Sequence, residues 1–237
     1  SAASDVYKRQ GLARDRKADL VIANDPDADR VAFAVPDAEA EDGWRILTGD
    51  EVGAIIGRIM LERLPATSGS RRYFASSIVS SSLLGRMATA HGIEHRETLT
   101  GFKWIARVQG LVYGYEEALG YCVAPDLVKD KDGISAALIV ADYASKLKDA
   151  GKSLTDVLDD IARQHGVHAT AQLSVRVEDL DRITAMMGRL RRTRPEELGG
   201  SPVTKVRDLS QGSKNLPPTD ALVYLTDNGG RVIVRPS

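Results

Sequence analysis

The sequence predicts an α/β architecture over roughly its first two thirds, followed by a smaller α+β unit. Three observations predict it. Short apolar runs alternate with segments of helical periodicity between Leu20 and Gly166, the pattern of strands joined by crossover helices in a mostly parallel sheet. The texture then changes at Val167 to one helix among several short strands. Finally, Asp227-Asn228-Gly229-Gly230 between two apolar runs is a hairpin turn signal.

The first ten residues show no usable periodicity, and residues 1–17 are expected to be disordered or foreign sequence. Leu20–Ala23 and Val31–Val35 are short apolar runs bounded by Asp and Pro, which reads as two buried strands flanking a loop. Trp44–Leu47 reads as a third strand. Thr48 and Glu51 form a capping box for a helix whose buried face is Val52, Ile55, Ile56, Ile59, Met60 and Leu64. Pro65 stops that helix, and Ala66–Arg72 is small, polar and Gly-containing, as a domain linker is.

Beyond it the reading is strand Arg72–Val79, helix Ser82–His91 stopped by Gly92, strand Ile93–Leu99, helix Phe102–Gln109 and strand Leu111–Tyr115. Gly133–Ala150 is a long helix with Ile134, Leu138, Ile139, Ala141 and Leu147 on or near one face. Ser153–His165 is another, burying Leu154, Val157, Leu158 and Ile161, with Gly166 closing it. The α+β part is a strand Ala169–Val177, a helix Leu180–Arg192, and strands near Val203–Leu209, Ala221–Thr226 and Arg231–Val234. The expected organisation is therefore 18–65 as part of one α/β domain, 72–166 as a complete second, and 167–237 as a partial C-terminal domain.

Composition excludes several classes. With 32 basic and 33 acidic residues the net charge is −1, which leaves no electrostatic footprint for nucleic acid or an anionic membrane. No apolar run approaches the roughly 18 residues needed to span a bilayer. Cys122 is the single cysteine, so no intrachain disulfide forms, consistent with a reducing cytoplasm. His91, His95, His165 and His168 lack metal-ligand spacing with a second His or Cys and receive no role.

The chemistry-bearing run is Asp25-Pro26-Asp27-Ala28-Asp29-Arg30. In an extended segment alternate side chains point the same way, so Asp25, Asp27 and Asp29 can converge. Three clustered carboxylates repel one another unless a cation neutralises them, and hard oxygen donors select Mg²⁺, Ca²⁺ or Mn²⁺. Arg30 can hold a phosphate oxygen beside the metal. A polar surface turn is the bland alternative. An EF-hand fails, because Arg30 and Pro36 occupy the positions that need Gly and Glu. A phosphatase with an Asp nucleophile is disfavoured by Asp29, where Thr or Val is usual.

This run resembles the metal loop D-G-D-x-D-R of the α-D-phosphohexomutase family, with Pro26 in place of the commoner Gly. Tyr115-Glu116-Glu117-Ala118-Leu119-Gly120 resembles the family's sugar-recognition loop G-E-E-S-x-G, with Ala118 replacing Ser. Thr100-Gly101-Phe102-Lys103 resembles the substrate-facing T-G-[WFH]-K loop, and Lys129-Asp130-Lys131-Asp132-Gly133 resembles the [KR]-x-K-D-G segment that opens a helix. Arg235-Pro236-Ser237 is similar to the start of the phosphate-binding loop R-P-S-G-T-E-P.

The resemblance implies Mg²⁺ on Asp25, Asp27 and Asp29, and positive charge at the transferring phosphoryl group from Arg30 and Lys131. It implies sugar contacts from Thr100, Gly101, Lys103, Glu116 and Ala118, and contacts to the second phosphate from Arg235 and Ser237. It also implies a hexose phosphate and a hexose bisphosphate as partners. The family's catalytic loop T-x-S-H-N-P has no counterpart, since no Ser-His pair occurs here. The expectation is thus a chain lacking the family's first domain and the end of its fourth, inactive alone. A phosphopentomutase-type enzyme and a non-catalytic sugar-phosphate or metal-binding module are the alternatives; glucose, mannose and ribose phosphates stay open as substrates.

Overall fold

The structure, a computed structural model, describes residues 11–64, 71–213 and 216–236. The chain divides into two compact units, Ser1–Thr170 and Ala171–Ser237.

The first unit begins with a three-stranded antiparallel meander, β1 (Val21–Asn24), β2 (Val31–Pro36) and β3 (Trp44–Ile46), in the order β1-β2-β3. β2 is buried on both faces, which is why it reads as a continuous apolar run rather than an alternating one. Its Val31, Phe33 and Val35 face the main core, while Ala32 and Ala34 meet Ala13, Val21, Ala23 and Trp44. Here the expectation of disorder over 1–17 is corrected for the residues described. Residues 11–15 are helical, and Ala13 is buried against the small outer face of the meander. With Leu12 and Ala13 its chief apolar residues, one such turn carries too little periodicity to be read from sequence. Residues 1–10 lie outside the described residues.

Helix α1 (Gly49–Arg63) follows, with the capping box as expected: the Glu51 N–H donates to Thr48 Oγ1 at 3.2 Å and the Thr48 N–H to Glu51 Oε2 at 2.7 Å. It packs on a four-stranded sheet of order β5-β4-β6-β7, made of β4 (Tyr73–Ser77), β5 (Glu94–Thr98), β6 (Leu111–Glu116) and β7 (Gly120–Cys122). β4 runs parallel to β5 and β6, while β7 returns antiparallel to β6. Helices α2 (Leu83–Ala90), α3 (Phe102–Ile105), α4 (Gly133–Asp149) and α5 (Leu154–His165) complete the unit.

One core joins Phe33 of β2, Ile55 and Ile56 of α1, Phe74 and Tyr113 of the sheet, Val140 of α4 and Ile161 of α5. The structure therefore unites what the sequence divides into 18–65 and 72–166. The linker expected at 66–72 falls mostly on residues 65–70, which are outside the described residues.

Three further differences have plain causes. The helix expected over 102–109 is a single turn, α3; it buries Phe102 and Ile105 and then gives way to a turn closed by Gly110 at φ 73°. On α4 the buried residues are Ala136, Val140 and Leu147, whereas Ile134 and Leu138 are 64% and 70% exposed, so the apolar side read from periodicity lies partly off the packed face. β7 is too short to register as an apolar run.

In the second unit, α6 (Leu180–Arg192) is capped by Asp179 and buries Met187 against Leu222 and Tyr224. The sheet order is β11-β10-β9-β8, all antiparallel, from β8 (Glu197–Leu198), β9 (Ser201–Asp208), β10 (Leu222–Thr226) and β11 (Arg231–Val234). The expected hairpin is present, with Gly229 at φ 84° and the Thr226 N–H donating to the Gly230 carbonyl at 2.9 Å. The strand expected over 169–177 does not form. No strand among the described residues pairs with it, and Leu173 and Val175 are 89% and 67% exposed. Alternation alone does not make a strand when no neighbouring edge supplies hydrogen bonds.

Two predictions follow from this packing. A Cβ on Gly53 would sit 2.4 Å from Cε2 of Tyr115, a fully buried ring stacked between Tyr113 and Tyr121 that has no room to yield. Overpacking of this kind costs about 1–3 kcal/mol and outweighs the gain in helix propensity of at most about 1 kcal/mol. Gly53→Ala should therefore lower the unfolding free energy in a urea titration. In the second unit, Arg191 Nε donates to Asp208 Oδ2 at 2.9 Å and holds the Asp208 carboxyl below its usual range against a smaller opposing effect of burial. A depressed carboxylate contributes stability that is full above its unfolded pKa of about 3.9 and is lost as pH falls through the lower folded value. Melting temperatures measured from neutral to acid pH should fall less steeply below about pH 4 for Asp208→Asn than for the parent.

Candidate functional site

Four loops meet at one end of the first unit. The β1–β2 hairpin supplies 25–30, the chain after β5 supplies 100–103, the β6–β7 turn supplies 116–120, and the start of α4 supplies 131–133. Backbone contacts bring them together. Val31 N–H donates to the Leu119 carbonyl at 3.2 Å and Arg30 bridges to Gly120. Gly133 N–H donates to the Ala28 carbonyl at 3.0 Å, and the Asp132 N–H to the Tyr121 carbonyl at 2.9 Å. Gly133 is required here: a Cβ would lie 2.5–2.8 Å from Asn24 Nδ2, the Arg30 carbonyl and the Ala28 carbonyl.

The acidic loop is turned rather than extended. Ala28 adopts φ 57°, and the Ala28 N–H donates to the Asp25 carbonyl at 3.0 Å. The strand-alternation argument for convergence of Asp25, Asp27 and Asp29 therefore does not describe this loop. Each carboxylate has a different surrounding. Asp25 Oδ1 accepts from the Arg30 N–H at 3.2 Å, Asp29 Oδ2 pairs with Lys131 Nζ at 2.7 Å, and Asp27 is exposed. Among the described residues no group of three or more His, Cys, Asp or Glu is placed to hold a metal ion. In kind, three carboxylates within five residues fit a hard divalent cation. In place, the loop's charge is met by Lys131 and Arg30.

The electrostatics follow. Burial works against ionisation of Asp29, but the Lys131 hydrogen bond and charge, with Arg30 and Asp25, hold its carboxyl below the usual range. The same hydrogen bond raises Lys131 above the usual lysine value despite its partial burial. Lys131 also lies 6.0 Å from the Phe102 ring centroid. Burial pushes Glu116 up, while the Gly101 N–H, donating to its Oε1 at 2.6 Å, pulls the other way. Lys103 Nζ lies 5.7 Å from the Trp104 ring centroid, Thr100 is partly buried, and Ala118 is exposed at the tip of the turn. Arg235 belongs to the second unit, where it is exposed just after β11. Ser237 lies outside the described residues. Burial pushes the Cys122 thiol up to about 12, so it is no nucleophile.

Sequence reasoning passed over the groups that brace these loops. Glu117 Oε2 accepts from Ser77 Oγ at 3.1 Å and from Ser80 Oγ at 3.0 Å, which pins the 116–120 turn to the end of β4. Asp50 Oδ1 accepts from the Tyr115 hydroxyl at 2.8 Å and the Ser81 N–H at 2.7 Å, tying the first turn of α1 to the sheet. Asp132 caps α4 through the N–H groups of Ile134 and Ser135. The serines of 76–82 and the acid immediately after Gly49 were the available signals.

A family model described as phosphoglucomutase/phosphomannomutase, alpha/beta/alpha domain III, matches residues 48–165. That span takes in α1 with the sheet, in agreement with their shared core. A protein of Haemophilus influenzae named as a probable phosphomannomutase is 43% identical over 226 residues, covering 95% of this chain and 45% of its own length. A phosphopentomutase of Mus musculus is 35% identical over 240 residues, with 94% and 38% covered. In three dimensions, pp63/parafusin of Paramecium, a phosphoglucomutase in its open form, covers 98% of the chain and 41% of its own length with a TM-score of 0.66; at 18% identity this is a likeness of fold. Fold and matches together define a phosphomutase-type α/β chain. It belongs to the α-D-phosphohexomutase family and spans less than half the length of these relatives.

The glycine at the loop junction gives a test. Gly133→Ala should cost about 1–3 kcal/mol in chemical denaturation, as overpacking does. Its amide NMR shifts should move most over residues 24–31 rather than across α4; uniform shifts along α4 would place the role of Gly133 in the helix alone.

Proposed function

We propose that this chain is part of a Mg²⁺-dependent mutase that moves a phosphoryl group between C1 and C6 of a hexose phosphate, glucose or mannose. The observation that carries the proposal is the convergence of the 25–30, 100–103, 116–120 and 131–133 loops, which puts carboxylates and cations of the right kinds beside one another. In this reading the Glu116 carboxylate accepts hydrogen bonds from sugar hydroxyls and is held in place by the Gly101 N–H. Arg30 and Lys131 set positive charge where the transferring phosphoryl oxygens lie. Lys103 and Thr100 border the sugar.

Mg²⁺ would be held by Asp25, Asp27 and Asp29, with Asp29 released from Lys131, and would neutralise phosphoryl charge. The phosphoryl donor in this reading is a phosphoserine, of the kind carried by the T-x-S-H-N-P loop that has no counterpart among these 237 residues. The serine phosphate passes to the free hydroxyl of the sugar monophosphate; the bisphosphate turns over and returns its other phosphoryl group to the serine. The matched phosphomannomutase-named relative supports hexose. A pentose substrate is the second reading, supported by the phosphopentomutase match.

The purified chain should bind glucose 6-phosphate in a calorimetric titration without converting glucose 1-phosphate to glucose 6-phosphate. Glu116→Gln and Lys131→Met should each weaken binding by about tenfold or more, the scale of one charge-assisted hydrogen bond. Ribose 5-phosphate binding more tightly than glucose 6-phosphate would move the assignment to pentose. Unchanged affinity in both variants would remove these loops from the sugar-phosphate site.

A further inference from the structure

Away from these loops the first unit carries an open cavity of about 580 Å³ between α2, β5 and α5, lined in part by Ser82, Arg86, Thr89, His95, Gln164 and His165. The volume is in the range of small-molecule pockets. None of residues 25–30, 100–103, 116–120 or 131–133 contributes to it.

The chain has four histidines, and all four gather here. His95 and His165 line the cavity; the His91 ring centroid lies 6.3 Å from that of His165, and His168 Nδ1 is 3.1 Å from Ser82 Oγ. Arg58 reaches in from α1, donating to Gln164 Oε1 at 3.1 Å. Arg86 adds an exposed guanidinium with no ion pair among the described residues. No carboxylate lines the cavity, and the nearby Glu62 is engaged with Arg58 at 3.2 Å.

His165 Nε2 is buried without a hydrogen-bond partner among the described residues. Such an orphan is destabilising unless something meets it. Burial, then the positive fields of His91, Arg58 and His168, lower the basicity of His165, so the pocket concentrates positive potential around a buried nitrogen. A metal ion is the wrong occupant: among the described residues no set of three ligating side chains is placed to hold one, and Arg58 and Arg86 would repel it. An anion with several acceptor oxygens matches the donors.

We propose that this cavity is a second binding site, for a phosphate group, with His165 and Arg86 as donors. The phosphate is either free or carried by a small metabolite. All the imidazoles of the chain report on this cavity and none sits in the sugar-phosphate loops, so imidazole ¹H–¹⁵N NMR of the 237-residue chain reads this site independently of the proposed mutase site. Titration with inorganic phosphate should shift the His165 and His95 signals saturably, with a Kd in roughly the millimolar range. Sulfate, a fixed dianion, should bind about threefold or more tighter at pH 6 than at pH 8, because binding and protonation of the imidazoles favour each other.

Arg86→Gln changes an exposed residue and should weaken both anions about tenfold; His165→Gln should do the same. If His165→Gln fails to fold, as judged from its amide spectrum, Arg86→Gln decides alone. Glucose 6-phosphate moving the same signals at tenfold lower concentration than phosphate would identify a phosphorylated metabolite as the ligand, and equal affinity would identify free phosphate. Absence of saturable imidazole shifts, or shifts undiminished in Arg86→Gln, would overturn the proposal.

Discussion

The site depends on one constraint: the first residues of β2 lie against the turn between β6 and β7. The Val31 N–H bonded to the Leu119 carbonyl, and the bridge from Arg30 to Gly120, fasten a hairpin of the small meander to a hairpin of the larger sheet. Everything else at the site is arranged about that seam. The α4 N-terminus closes on it because Gly133 lets the Ala28 and Arg30 carbonyls come within touching distance. Lys131, two residues earlier, is then delivered to Asp29. The seam itself is made of backbone bonds, indifferent to side-chain identity, whereas the closure of α4 upon it needs glycine at 133.

Local rules were legible where local chemistry decides. The α1 capping box, the buried stripe of α5 and the 227–230 hairpin each rest on residues within a few positions of one another, and each took the expected form. Readings failed where a distant partner decides. The alternation of Leu173 and Val175 suits a strand, but without a paired edge the segment stays irregular. Ile134 and Leu138 suit a buried stripe, but α4 is turned by its contacts so that Ala136 and Val140 face the core.

The site shows the same division. The identity of its loops was visible in short motifs, whereas their shape was not. Ala28 in the left-handed region folds the acidic loop into a turn; its Asp and Pro residues suit a turn, but nothing in Asp-Pro-Asp-Ala-Asp-Arg singles out Ala28 for that backbone. Glu117 and Asp50, which brace the site from below, look like ordinary surface acids in sequence; only the fold reveals that serine and tyrosine hydroxyls 37 to 65 positions away, and the Ser81 N–H 31 positions away, donate to them.

Tyr113, Tyr115 and Tyr121 stack in a row beneath the β6–β7 turn, and their hydroxyls reach the Gly53 carbonyl, Asp50 and the Gly49 carbonyl of α1. This row divides the hairpin into a part that cannot vary and a part that can. Its base is locked by three buried rings and has no slack for drift. Its tip, Ala118, touches solvent and carries no share of that locking. Exchange at the tip, one residue at a time, therefore leaves the foundation beneath it in place.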